Sequence, residues 1–501
     1  MERKFKELRN RLHEVEDLRL AAALLEWDQA TYMPPGGAEA RGRQLALLSA
    51  LAQDKFTDSE VGRLLDALVP FQEQHDYDSF EASLIRKTRN DYEKAVRVPT
   101  EFVSRMNIHS TTSYQNWANA RPDNNFKAVE DNLKKTLDMS REYSEFFSGY
   151  EHIADPHIDR SDPGMKASDI KQVFGELRKE LVPIVKAIVE QAEADDRPVK
   201  QEFAEDEQLA FGQLVIEDFG YDFQRGRQDK TLHPFMTKFS LGDVRITTRV
   251  KKDDLSEGLF STLHEAGHGM YELGIDPSFE GTPLADGISS GVHESQSRTW
   301  ENIVGRSLGF WKHYYPKLQG AFREQLEGVK LQDFYRAINK VSRSLIRTDA
   351  DEVTYNLHVM IRFDLELDLL EGNLEVKDLP EAWHTRYEQD LGLRAPNDMD
   401  GVLQDVHWYA GLIGGSFQGY TLGNIMASLF YDQALKAHPN IPEQIEQGKF
   451  NTLHTWLKDN LYVHGAKFTP DELLNRVTGG PLHIGPYIDY LKSKYGQLYE
   501  L

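Results

Sequence analysis

The sequence predicts a mainly α fold, in which one large helical body carries a small β-hairpin. Apolar residues recur at helical spacing beside charged faces over long stretches, and one segment alone alternates as strands do. The hydrophobic content of 40% is enough for a large core. The predicted helical stretches are Met1–Leu25, Ile170–Ala194, Phe322–Leu345 and Tyr355–Leu370.

We expect residues 1–501 to form a single domain, either as one body or as two lobes about a groove. At ~150 residues per domain this length could hold about three domains, but no Pro/Ser/Gly-rich linker divides it. The one clear β signal consists of Phe235–Ser240 and Val244–Val250, which flank the turn Leu241-Gly242-Asp243. This pattern predicts a hairpin just before the helix described next.

The segment His264–His268 has the sequence His-Glu-Ala-Gly-His. On a helix, the two imidazoles lie on one face and can bind one zinc ion, while Glu265 can reach a water at the metal. The flanking apolar residues form a buried stripe, and Gly274 followed by Pro277 predicts the end of the helix. The alternative is a structural pair of histidines, which the embedding of the motif in a core helix disfavours.

A catalytic zinc site needs a third protein ligand and an open position for water. The third His of the metzincin pattern is missing, and Glu272 lies too far along the same helix from His264 to share one ion with both histidines. A second helix begins near Gly291, and we predict Glu294 as the ligand. Its neighbour His293 points about 100° away and is predicted to lie behind a ligand or on the substrate side. The alternative for Glu294 is a surface ion pair with Arg298.

Several further short motifs occur in order along the chain. They are Trp27–Pro34, His233-Pro234-Phe235, Asp243–Thr247, His293-Glu294-Ser295-Gln296, Ile346–Asp351 and Gly401–Trp408. With these motifs the chain resembles the M32 family of metallocarboxypeptidases, of the thermostable bacterial type, over nearly its whole length. The resemblance implies zinc ligation by His264, His268 and Glu294, catalysis by Glu265, a mostly helical groove-bearing fold of the gluzincin type, and a homodimer.

In such an enzyme a carboxylate takes the proton of the attacking water and delivers it to the leaving amine, and Glu265 is placed for that exchange. A fixed donor should stabilise the oxyanion, and the candidates are Tyr420 and His407. Tyr420 lies within a Gly-rich run, Gly414–Gly423, which we expect to be a mobile loop. An ordinary half-buried tyrosine is the alternative.

Removal of C-terminal residues requires recognition of a free carboxylate, which a guanidinium binds through both oxygens. Arg347 is the strongest candidate, predicted to lie in a helix that begins near Leu331 and to be oriented or neutralised by Asp349 and Asp351. Arg245 is a second cation; a structural ion pair is the alternative for any such arginine. The motif residues His233 and His293 are further candidates for the substrate side.

The hairpin edge could bind an extended peptide by main-chain hydrogen bonds, which would give broad specificity, or the hairpin could shield one end of the core. These two roles are compatible. The predicted function is therefore a zinc carboxypeptidase acting on peptides with a free C-terminus, in which cobalt could replace zinc. The alternatives are an oligoendopeptidase with the same metal site and, outside enzymes, a non-catalytic helical binding scaffold.

Charge and composition limit the other partners. The 81 acidic against 58 basic residues give a net charge of -23, which disfavours binding to nucleic acid and to anionic membranes. Cysteine is absent, so any metal must be bound by His and carboxylate. The N-terminal segment is charged and amphipathic rather than a signal peptide, and no apolar run approaches a bilayer span. We therefore expect a cytoplasmic protein.

Overall fold

Twenty-three α-helices and one small sheet are described by the computed structural model, which covers residues 1–501. The first twelve helices are α1 Glu2–Thr31, α2 Ala38–Phe56, α3 Ser59–Ala67, α4 Val69–Glu73, α5 Phe80–Arg97, α6 Thr100–Ala120, α7 Glu130–Glu145, α8 Asp155–Ser161, α9 Ala167–Val189, α10 Glu205–Phe219, α11 Leu255–Leu273 and α12 Ser290–Arg298. The others are α13 Leu308–Ala321, α14 Arg323–Leu326, α15 Leu331–Ile338, α16 Tyr355–Glu371, α17 Leu379–Leu391, α18 His407–Ala410, α19 Gln418–Ala437, α20 Ile441–Glu446, α21 Asn451–Asn460, α22 Pro470–Thr478 and α23 Gly485–Tyr499. The predicted mainly α fold is confirmed.

Three of the four predicted helical stretches are helices close to the expected bounds, namely α1, α9 and α16. The fourth, Phe322–Leu345, is wrong as a single helix. Gly328 adopts a left-handed φ of +79° between α14 and α15, and the chain leaves helical structure after Ile338. The apolar spacing continues through the break, which is why the pattern alone does not reveal it.

The sheet has the strand order β1-β3-β2, where β1 is Gln228–Lys230, β2 is Met236–Ser240 and β3 is Asp243–Thr248. The pair β2 and β3 is the predicted hairpin, antiparallel and with Met236 opposite Ile246. The parallel strand β1 was not predicted, because three residues are too short to show alternation. Helix α11 packs against β3, and α1 packs against the edge strand β2.

Most of the buried apolar side chains form one core, and a smaller cluster lies beside it. The main core contains 93 buried residues, whereas the second contains 17 and joins helices α1 to α5 to Leu241 and to the segment Ile275–Leu284. The N-terminal helices therefore have a packing centre of their own, next to the sheet. None of the helices is both long and apolar enough to cross a bilayer.

Two glycines allow the helices around the predicted metal motif to approach closely. A Cβ at Gly267 on α11 would lie 2.6 Å from the backbone of Gln296 and Ser297 on α12. A Cβ at Gly423 on α19 would lie 2.5 Å from Cγ of Glu294. Helix α12 is thus held between α11 and α19 at distances that only glycine permits.

Candidate active site

The structure brings together the three predicted ligands, His264, His268 and Glu294. The two histidines lie one turn apart on α11, and Glu294 reaches toward them from α12. Its Oε2 lies 3.6 Å from Nε2 of His264 and 3.5 Å from Nε2 of His268, and the three ligand atoms lie within 4.8 Å of one another. Two imidazoles and one carboxylate converging in this way fit a divalent metal ion such as zinc.

Glu294 also pairs with Arg298, but the pair is not the exposed one considered as an alternative. Arg298 Nε donates to Oε1 of Glu294 at 2.7 Å, which leaves Oε2 facing the imidazoles. Glu294 is only 6% exposed. The ion pair therefore orients a buried carboxylate toward the histidines.

Glu301 is a partner of His264 that sequence reasoning missed. Its Oε2 lies 2.9 Å from Nδ1 of His264 and accepts from Nη1 of Arg298 at 3.0 Å, while its Oε1 accepts from Arg306. Burial alone would raise the pKa of Glu301, but Arg298 and His264 lower it to about 2. The residue lies in a π-helical turn, Thr299–Val304, so ordinary helical spacing from Glu294 does not predict its direction.

Glu265 lies on α11 between the two histidines in sequence and is 6% exposed. It lines the same cavity as His264, His268 and Glu294. Burial raises the pKa of Glu265 to about 7, and Glu294 adds to this rise while the His264 ring opposes it. A carboxyl group in this position can exchange a proton near neutral pH.

The cavity over these residues has a volume of about 750 Å³. It is bounded by α1, α2, α5, α8, the start of β2 with the loop before it, α11, α12 with the loop before it, and α19. Its walls carry both signs of charge, since the ion pairs Lys87–Asp91 and Lys94–Asp159 belong to the lining. A cavity of this size can accept the end of a peptide. It corresponds to the predicted groove.

Tyr420 lines this cavity, but its predicted setting is wrong. It lies in the first turn of α19 rather than in a loop, and the left-handed glycines Gly414 and Gly415 come just before that helix. Burial raises the pKa of Tyr420 well above its usual range, so the hydroxyl keeps its proton and can donate. The helix gives the ring a fixed direction.

Arg347 lies next to Tyr420, in a 3₁₀ turn and not in the predicted helix. Its Nε and Nη2 donate to Asp405 at 3.2 and 2.9 Å, and its Nη1 donates to the Tyr355 hydroxyl at 3.1 Å. The prediction that Asp351 orients it is wrong, since Asp351 accepts backbone N–H groups instead. The guanidinium lies 5.2 Å from the Tyr420 ring centre, behind the cavity wall.

Four further residues were predicted for the site, and of these His293 alone lines the cavity. His407 is bonded to Asp405 through Nδ1 at 3.1 Å and so belongs to the Arg347 cluster, away from the cavity lining. Arg245 is paired with Asp243 and lies 4.5 Å from the Trp27 ring centre. His233 is exposed. His293 lines the cavity and contacts His268.

Comparison with known proteins identifies the family of this chain. The profile of the carboxypeptidase Taq (M32) metallopeptidase family matches residues 7–495. Thermostable carboxypeptidase 1 of Thermus thermophilus is 38% identical over 95% of both chains, and carboxypeptidase 1 of Bacillus subtilis is 33% identical over 99% of both. The crystal structure of the M32 carboxypeptidase from Deinococcus radiodurans R1 is 50% identical, with a TM-score of 0.97 over 99% of this chain and 100% of that one.

These matches favour a carboxypeptidase over the oligoendopeptidase and scaffold alternatives, since all three relatives carry that name. They extend over both the metal motif and the N-terminal helices. The chain belongs to the M32 family and is a metallocarboxypeptidase, a peptide hydrolase.

Proposed function

We propose that the protein is a zinc-dependent carboxypeptidase that releases amino acids one at a time from the C-terminus of peptides, with broad specificity. The observation that carries this proposal is the convergence of His264, His268 and Glu294 beside the buried Glu265 in one cavity. Co²⁺ could replace Zn²⁺, because both suit two imidazoles and a carboxylate.

The metal, when bound, would supply Lewis acidity toward the scissile carbonyl and would lower the pKa of the attacking water. Glu265 takes a proton from that water as its oxygen bonds to the carbonyl carbon. The same carboxyl group then gives the proton to the nitrogen of the leaving amino acid as the C–N bond breaks. Glu265 thus ends the cycle as the carboxylate it was at the start.

Tyr420 is the donor that we assign to the developing oxyanion. Its hydroxyl is protonated, its ring lines the cavity, and its position in the first turn of α19 needs no rearrangement of a loop. Loss of one such donor typically costs about 3 kcal/mol in the transition state. His407 is the weaker candidate, because it lies with Asp405 outside the cavity lining.

For the free carboxylate of the substrate we retain Arg347. Asp405 and Tyr355 hold its guanidinium in one orientation, and its Cζ lies 5.2 Å from the centre of the Tyr420 ring, which lines the cavity. Arg245 and His233 have less support: Arg245 is paired with Asp243 and lies over the Trp27 ring, and His233 is exposed, so neither contacts a residue at the metal site as Arg347 contacts Tyr420. Broad specificity is supported by cavity walls that carry both signs of charge and by the edge strand β2, from which Met236 reaches the cavity.

The test is digestion of one unblocked peptide and its C-terminally amidated twin, with and without a chelator, followed by mass spectrometry. Stepwise loss of C-terminal residues from the free acid alone, abolished by chelation and restored by Zn²⁺, is the expected result. Internal cleavage of both peptides would contradict the proposal. The homodimer stays a prediction from the family resemblance, and the cytoplasmic location stays a prediction from the sequence. Sedimentation of the purified chain checks the dimer.

A further inference from the structure

The two histidine ligands have different partners on their second ring nitrogen. His264 uses Nδ1 to contact the carboxylate of Glu301, whereas Nδ1 of His268 lies 2.5 Å from Nδ1 of His293. Two ring nitrogens at this separation share one proton. Because Nε2 of His268 faces Glu294 and must be unprotonated to bind a metal, the proton belongs on Nδ1 of His268.

This assignment determines the next hydrogen bond. His293 must accept at Nδ1, so the neutral ring carries its own proton on Nε2. That nitrogen lies 2.9 Å from Oε1 of Glu272, which is the residue that spacing excluded as a ligand. Glu272 lies one turn after His268 on α11 and is 1% exposed.

The last member of this hydrogen-bond series, Glu272, is paired with a cation. Lys238 on β2 donates from Nζ to Oε2 of Glu272 at 2.6 Å, and Asp286 also contacts Nζ at 2.9 Å. The backbone N–H of Gly287 donates to Oε1 of Glu272 at 3.1 Å. An ammonium group can only donate and a carboxylate can only accept, so Glu272 accepts both from Lys238 and from His293. The imidazole protons therefore point from His268 through His293 to Glu272.

We propose that His293 and Glu272, anchored by Lys238, form a relay that holds His268 in the tautomer and orientation needed to bind the metal. The three members are positioning residues on α12, α11 and β2, so metal retention depends on the sheet that borders the groove. The proposal rests on the metal-dependent function above and assigns His293 to the metal rather than to the substrate.

The alternative is that Lys238 and Glu272 only tie β2 to α11, with His293 as packing. The two roles differ in what they predict for metal affinity. A partner that orients a histidine ligand typically changes metal affinity by 10- to 100-fold when removed. A packing residue would change thermal stability and leave the metal affinity of the folded protein unaltered.

The experiment compares His293→Leu with His293→Gln in the full chain. Leucine fills similar volume but cannot accept from His268, whereas the glutamine amide can accept from His268 and donate to Glu272. The dissociation constants for Zn²⁺ and Co²⁺ are measured by competition with a chromophoric chelator, and visible absorption of the Co²⁺ form reports ligand geometry. Circular dichroism of each metal-free variant verifies that it is folded.

If the relay holds, His293→Leu lowers the affinity for both metals by at least about 10-fold and alters the Co²⁺ spectrum, whereas His293→Gln retains most of the wild-type affinity. Glu272→Gln should also weaken binding, whereas the matched control Glu257→Gln should not, because Glu257 on α11 pairs with Arg249 away from the ligands. Equal affinity of His293→Leu and wild type, or equal weakening by Leu and Gln, overturns the proposal. Failure of the wild-type protein to bind metal would instead contradict the proposed function.

Discussion

Gly423→Ala adds one methyl group where α19 packs against α12, the helix that carries Glu294. The new Cβ would lie 2.5 Å from Cγ and 2.6 Å from Cβ of Glu294, whereas ordinary van der Waals contact is 3.4–4 Å. The helices or the Glu294 side chain must therefore move by about 1 Å. Since Arg298 holds one carboxylate oxygen of Glu294, the shift displaces the oxygen that faces the histidines.

A displacement of about 1 Å in a catalytic constellation costs on the order of 100-fold in rate. We expect kcat/KM on a free-acid peptide to fall by about that factor and metal to be lost more readily on dialysis. Overpacking should also cost about 1–3 kcal/mol of stability, reduced by the better helix propensity of alanine.

Gly175→Ala is the matched control, because Gly175 lies inside α9 and a Cβ there meets nothing within 4 Å. The same chemical change should raise stability by about 0.5–1 kcal/mol and leave activity unaltered. Activity, bound metal by atomic absorption and thermal unfolding are measured for both variants. A Gly423→Ala enzyme with wild-type turnover and metal content would refute the claim that close packing of α19 positions Glu294.

Glu265→Gln should retain the metal and lose at least about 100-fold in kcat, whereas His268→Ala should lose both metal and activity. Metal analysis and peptide hydrolysis check both variants, and substantial activity in Glu265→Gln would contradict the assignment of Glu265 as general base. Tyr420→Phe should lower kcat by about 10²–10³ with little change in KM, and an effect on KM alone would argue against an oxyanion donor. Arg347→Ala should weaken cleavage of free-acid peptides far more than residual cleavage of amidated ones, and equal loss on both would end its carboxylate role. Burial lowers the pKa of His157 to about 4, so the neutral ring stabilises the fold above its unfolded pKa near 6.5, and this contribution is lost as pH falls toward 4. Guanidinium unfolding should show a smaller loss between pH 7 and pH 4 for His157→Gln than for wild type, and equal losses would contradict the assignment.

Part of the site could be predicted from the sequence, because it depends on residue spacing within a single helix. The four-residue separation of His264 and His268 places both rings on one helical face wherever the helix packs, and the glycine after Leu273 marks its end. The β2–β3 hairpin could also be predicted, because the alternating strands and the turn between them lie within one short segment. The mainly α fold class could be predicted for the same reason, because helical and strand periodicities are both local patterns.

The tertiary structure alone decided which distant groups complete the site. Arg347 is oriented by Asp405, 58 residues later in the chain, and not by the neighbouring acidic residues. Glu301 reaches His264 because a π-helical turn changes its direction, and His293 lies between His268 and Glu272 only once α12 packs on α11. Sequence spacing determines directions within one element, whereas these contacts depend on how separate elements pack, which the close approach at Gly267 and Gly423 permits.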